Sequence, residues 1–199
     1  MAFVNTNGTN AGFHGLFESS RLKATDVGRI HDTLVVSEST SGGKTTRTPI
    51  AVDNGVAVKI GDFVGEDLQQ IYATIAAVGD KIAVVGTDPV VKDATTKGGE
   101  SPVHFENKAG KLSRSYEVLE DSQEIFAVAD YQFTDASAAN IAVGKYVVID
   151  GNGMWVAQAA APSASTYGFI GKIHSIAADS LGQYKIVRIQ CIKNSQISA

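Results

Sequence analysis

The chain has 199 residues, 44% of them hydrophobic, which is enough for a buried core in one large β domain or two small ones. Its net charge is −4, and its 17 Lys and Arg are dispersed, which argues against a surface built to coat nucleic acid. The single cysteine rules out an intrachain disulfide, and no run approaches the roughly eighteen apolar residues of a membrane helix. Met1-Ala2-Phe3-Val4 passes at once into Asn5, Thr6, Asn7 and Gly8, so no secretory leader is read there and folding in the cytosol is expected.

Residues 1 to about 33 hold isolated large side chains between polar and Gly punctuation, with no sustained period of two or 3.6. Phe3, Val4, Phe13, Leu16, Phe17, Leu22, Val27 and Ile30 contribute roughly 12–24 kcal/mol if all are fully buried. Fixing about thirty backbones costs on the order of 30 kcal/mol or more. The segment therefore orders only against another surface: its own barrel, a neighbouring copy or a partner. It is read as an extended N-terminal arm, and residues 1–48 as arm plus loop before a β domain at 49–199.

Asp32–Ser37 is a short strand candidate, and Glu38–Thr48 reads as a Ser/Thr/Gly loop. Ile50-Ala51-Val52, a turn at Asp53-Asn54-Gly55 and the alternation Val56, Val58, Ile60 predict a hairpin. Gln69–Ala77 fits a helical face or a strand; the bracketing glycines favour the strand. Ala76–Thr96, with a turn at Gly86-Thr87-Asp88-Pro89, has the same layout as Ile141–Ala161, and Gly79 aligns with Gly144, so a duplicated hairpin is expected. Pro102–Glu106, Leu112–Leu119 and Glu124–Phe133 continue as strands. The clearest hairpin is Lys145–Ile149, Asp150-Gly151-Asn152-Gly153, then Met154-Trp155-Val156. Tyr167–Ala177, a turn at Asp179–Gly182 and Tyr184–Ile192 follow, with a bulge near Val187-Arg188 or burial on both faces. Ser195–Ala199 reads as a frayed tail. The class is all-β, a barrel or sandwich built from hairpins.

Candidate chemistry is thin. Ser41-Gly42-Gly43-Lys44-Thr45 has part of a phosphate-binding loop, but Glu38 stands where the leading Gly belongs and Thr48-Pro49 precludes a following helix. His14, His31, His104 and His174 lack metal-ligand spacing with one another or with Cys191. Glu66-Asp67 and Glu120-Asp121 point to opposite faces if extended, so a paired acid/base role is not expected. No catalytic, metal or cofactor residue is assigned. Tyr146 and Trp155 are read as core or interface aromatics, with a saccharide platform as the alternative for Trp155.

Several phrases carry a resemblance. They are Val52-Asp53-Asn54-Gly55 with Val58-Lys59-Ile60-Gly61, Val78-Gly79-Asp80-Lys81, and Phe105-Glu106-Asn107-Lys108-Ala109-Gly110-Lys111. Ile125-Phe126-Ala127-Val128, Val143-Gly144-Lys145-Tyr146-Val147-Val148 and Gly168-Phe169-Ile170-Gly171-Lys172-Ile173 complete the set. Over residues 50–192 the chain resembles head decoration, or cement, proteins of tailed bacteriophages. That resemblance implies a non-enzymatic virion protein, made in the host cytoplasm and bound to the major capsid protein on the outside of the shell, with neither nucleic acid nor membrane as partner. A cyclic oligomer such as a trimer is expected from the local symmetry of shells. Phe3, Phe13, Leu16, Phe17, Arg21, Lys23 and Arg29 are the arm residues expected to meet capsid or a neighbouring copy. Tail-tube or tail-fibre components and glycan-binding virion modules are the alternatives.

Overall fold

The computed structural model describes residues 13–21, 29–88, 105–120, 124–179 and 182–197. Their strands are β1 Phe17–Arg21, β2 Ile30–Ser41, β3 Lys44–Pro49, β4 Ala57–Val64, β5 Asp67–Ile75, β6 Ala83–Val85 and β7 Ser113–Glu117, followed by β8 Ile125–Ala129, β9 Tyr146–Ile149, β10 Trp155–Gln158, β11 Phe169–Ala178 and β12 Lys185–Asn194. Short 3-10 turns at Asp130–Gln132 and Asp135–Asn140 separate β8 from β9. The all-β expectation holds, and the segment Gln69–Ala77 is a strand, as the flanking glycines suggested.

The strands form two units wound in the same order. In the first, β2, β7, β6, β4 and β5 are antiparallel neighbours in that sequence, and a parallel pairing of β5 with β2, from Asp32↔Gln70 to Val35↔Ala73, closes the barrel. In the second, β8, β12, β11, β9 and β10 follow one another in the same way. Its ends meet at a parallel bridge between Phe133 and Trp155, where the Thr134 amide donates to the Trp155 carbonyl at 2.9 Å. Thus β2, β4, β5, β6 and β7 correspond to β8, β9, β10, β11 and β12. The internal repeat is a whole five-stranded unit, closed as a barrel in the first copy and a sheet with its ends bridged at one point in the second, and the hairpin alignment through Gly79 and Gly144 pairs strands that are not equivalent. The return strand expected after Asp88 lies outside the described residues. The hairpin at 145–156 forms as read, with Trp155 opposite Ile149 and the Asp150 carboxylate accepting from the amides of Asn152 and Met154, both at 2.8 Å.

Two apolar clusters follow from strand alternation. On β6, Ala83 and Val85 face the interior of the first barrel with Val35, Val52, Val56, Val58 and Ala73. Ile82 and Val84 face the other way, into the cluster of Trp155, Phe126, Phe169, Ile173 and Ile189 in the second unit. β6 is therefore a wall shared by both cores. This three-residue strand is clamped at each end by a buried asparagine. Asn54 accepts from the Thr87 amide at 3.0 Å and donates to the Thr87 carbonyl at 2.9 Å. Asn194 does the same to Ile82, at 2.8 Å in both directions. Each side chain supplies the hydrogen bonds that a neighbouring strand would have made.

Three sequence readings are corrected and one is located. Residues 30–48 belong to the body: β2 is a barrel strand, and Ser37–Thr48 is a β2–β3 ribbon turning on Gly42 and Gly43, both at positive φ. With both ribbon faces exposed there is no apolar alternation to reveal its strands. Asp53-Asn54-Gly55 is buried and turns no hairpin; Val52 instead bridges to Asn107. The bulge expected near Val187-Arg188 is present opposite it, where register shifts between Ile173 and Ser175 against Ile189 and Arg188, and a second falls between Ile170 and Gly171; Val187, Ile189 and Cys191 keep one parity toward the core. The tail is held through Ile197, whose amide donates to the Gly79 carbonyl at 2.9 Å.

Candidate functional site

The densest polar construction lies where the barrel and the second sheet meet residues 13–21, and its centre is Asp53-Asn54-Gly55. A Cβ on Gly55, which has φ +79°, would run into Gln132 Nε2 and the Leu16 carbonyl, so only glycine fits. The Gly55 carbonyl accepts from Trp155 Nε1 at 2.9 Å, tying the second unit's largest core side chain to the first barrel. Gln132, itself buried, accepts from the amides of Leu16 and Ala129 at 2.8 and 2.9 Å and donates to the Asn54 carbonyl at 3.0 Å. Asn107 Nδ2 donates to Asn54 Oδ1 at 3.0 Å.

Residues 13–21 cross this junction as a strap. Strand β1 adds to the edge of β8, with Phe17 opposite Val128 and Arg21 opposite Ile125. The Phe17 ring lies between Tyr116 and Phe126, at centroid distances of 5.3 and 6.3 Å, in space that exists because residue 86 is glycine. Leu16 is buried, and Phe13 meets Tyr131 and Tyr184 edge-on. The Tyr131 hydroxyl donates to the His14 carbonyl at 2.8 Å. His14 Nδ1 sits 2.9 Å from Asp53 Oδ1, while Asp53 Oδ2, also buried, has no hydrogen-bond partner. Burial pushes the Asp53 carboxyl up to about 6, against the opposing pull of His14. Tyr131 is pushed up as well, by burial. An imidazole oriented by a carboxylate is half of a nucleophilic triad, but among the described residues no hydrogen bond joins His14 to a hydroxyl or thiol. The pair fastens the strap.

The arm residues singled out by sequence thus divide. Phe13, Leu16 and Phe17 are engaged within the chain. Arg29 is too: its Nη2 donates to both Glu124 carboxylate oxygens, at 2.8 and 2.7 Å, and to the Glu117 carbonyl. Arg21 is placed by its backbone pairing alone, and Phe3 and Lys23 lie outside the described residues. Trp155 is wholly buried, which removes the saccharide platform, and Tyr146 is a half-buried strand residue opposite Gln158 and Lys172. Ser41–Thr45 is the ribbon's turn. His31 contacts Glu117 at 3.2 Å, His174 is exposed, and His104 is outside the described residues. Among the described residues no group of three His, Cys, Asp or Glu converges on a metal position.

Sequence reasoning missed Asn54, Gln132 and Asn194. An Asn-Gly pair is a turn signal by local chemistry, and nothing local tells it from an Asn-Gly whose amide reads a distant strand. Comparison with protein-family models, with curated proteins and with solved structures finds no match to this chain.

Proposed function

We propose that the chain is a non-enzymatic structural protein of a tailed-phage head, bound to the major capsid protein on the outside of the shell and stabilising junctions between capsomers. Its resemblance to decoration proteins over residues 50–192 supports this reading. The observation that carries it is the ribbon of residues 37–48, which stands off the first barrel with both faces in solvent. A two-stranded ribbon without a covered face is marginal on its own. This one is tethered by Arg47, which reaches Glu38 at 2.6 Å, Asp62 at 3.1 Å and the face of Tyr72 at 4.4 Å. Hydroxyl-rich strands on a rigid stem suit an element that lies against another protein, so the shell contact is assigned to the ribbon. Phe63, on β4, is half exposed. Residues Phe13, Leu16, Phe17 and Arg29 keep an internal role.

The test is co-sedimentation with empty shells, using the full chain and a variant in which residues 39–46 are replaced by Asn-Gly, which closes the hairpin between Glu38 and Arg47. The full chain should pellet with shells and the shortened one stay in the supernatant with unchanged circular dichroism. Equal binding by both, or none by the full chain, sinks the reading. Polymerisation into rings or tubes without shells would favour a tail-tube role instead.

A further inference from the structure

The strap is held by many neutral hydrogen bonds and by one ionisable contact that is badly satisfied. Asp53 lies under it, with Gly15 so close that a Cβ there would strike the Asn54 carbonyl and come within 3.1 Å of the Asp53 Cβ. One carboxylate oxygen meets His14, the other is buried without a hydrogen bond, and the pull of the Gly15 amide only partly offsets the burial. A charge placed so is costly, and lifting the strap returns it to water.

We propose that residues 13–21 are a proton-governed strap, which seats firmly on the junction in acid and loosens as the solution becomes neutral. Unseated, Asp53 titrates in the ordinary range; seated, burial pushes it up to about 6. A group whose pKa is raised on seating binds an extra proton there. Its contribution is therefore complete below the ordinary Asp range and is lost as pH rises through about 6. Of the groups facing it, His14 and the Gly15 amide favour the charged form, and burial outweighs them both. Glu106, on the segment paired with Val52, repels the carboxylate and raises it further, while His14 opposes. On the remaining side are Tyr131, with Asp130 and Tyr184 behind it, and the neutral amides of Gln132, Asn54 and Asn107. The His14 contact survives the change, because an Nδ1–H still donates to Oδ1 of a protonated carboxyl. The added proton belongs on Oδ2, the oxygen that has no partner.

The shift from the ordinary value near 3.8 to about 6 corresponds to a change of roughly 100-fold in the seating equilibrium. Hydrogen exchange of the full chain reads it directly. After correction for intrinsic chemistry, the Leu16 amide, bound to Gln132, should be protected about tenfold more at pH 5 than at pH 7.5, the part of the full change that falls between those two values. Amides in β11 and β12 should not change in parallel. In Asp53→Asn, a neutral mimic of the protonated form, strap protection should be high at both pH values. Equal protection of Leu16 at the two pH values in the wild-type chain overturns the proposal, as does an undiminished pH dependence in Asp53→Asn. If that variant does not fold, the wild-type comparison still decides. The inference stands without the capsid reading, and neither result alters the other.

Discussion

Replacing Gln132 with Ala isolates the junction's wiring from its apolar packing. The side chain satisfies three backbone groups: the Leu16 and Ala129 amides and the Asn54 carbonyl. All three lie at a site where Gln132 and Leu16 are buried. A buried polar group left without a partner costs about 1–3 kcal/mol, so three orphans set a ceiling of about 9 kcal/mol. The emptied space is polar and near the surface-exposed side of His14, so water entering it recovers part of the loss. We expect a net destabilisation of about 3–5 kcal/mol, a large share of the 5–15 kcal/mol typical of a domain. Urea unfolding with an unchanged slope would report it as a lower midpoint. Hydrogen exchange adds a local readout, since the Leu16 amide loses its acceptor and should exchange faster than the rest of β1. A loss below about 1 kcal/mol with Leu16 still protected would refute the reasoning.

Other expectations follow from the same geometry. His31 and Lys81 hold the Glu117 carboxyl down to about 2, so its contribution is present above its ordinary 4.5 and lost as pH falls toward about 2. Glu117→Gln should therefore flatten the decline in stability between pH 5 and pH 3, by about 1–2 kcal/mol after allowance for partial exposure; an unchanged decline in urea titrations counts against it. Gly153→Ala should cost about 3–4 kcal/mol, because φ is +74° and the new Cβ would sit 2.7 Å from the Ala57 carbonyl oxygen. Gly43→Ala, at φ +76° in open space, should cost only about 1–2 kcal/mol, so equal midpoints for the two would refute the clash. Cys191 is buried and its thiol is pushed up to about 12, so alkylation should proceed only through unfolding and accelerate with urea alongside the loss of structure.

How much of this was legible beforehand depends on whether a residue's neighbours are local. The hairpin from Tyr146 to Gln158 could be read because its turn chemistry and its alternation lie within a dozen residues. The strands β11 and β12 were legible for the same reason, and so was the all-β class. The ribbon was not, because Thr45, Thr46 and Thr48 alternate with nothing apolar. The strap illustrates a half-success. Its few large side chains showed that it needs a surface, but not that Phe17 would find one between Tyr116 and Phe126 of its own chain. Asn194 was beyond reach: it reads Ile82 and Val118 from across the other unit, and no local pattern announces an amide aimed at a distant backbone.

The repeat explains why the junction is where it is. Two units of the same winding would each close by a parallel pairing between their first and third strands, but only the first makes it over several residues and is a barrel. In the second, β8 breaks into the 3-10 turn at Asp130–Gln132, and closure falls to the bridge between Phe133 and Trp155. The residues beside that bridge are the ones that reach outward: Gln132 to Asn54 and Leu16, and Trp155 to Gly55. The weak seam of the second unit is thus closed by groups from the barrel and from the strap. Since β6 also walls both cores, neither unit can open without exposing the other's interior. Unfolding should accordingly be a single transition in which Trp155 fluorescence and far-ultraviolet circular dichroism share one midpoint. Separate midpoints would mean that the shared wall and the shared seam do not couple the two copies.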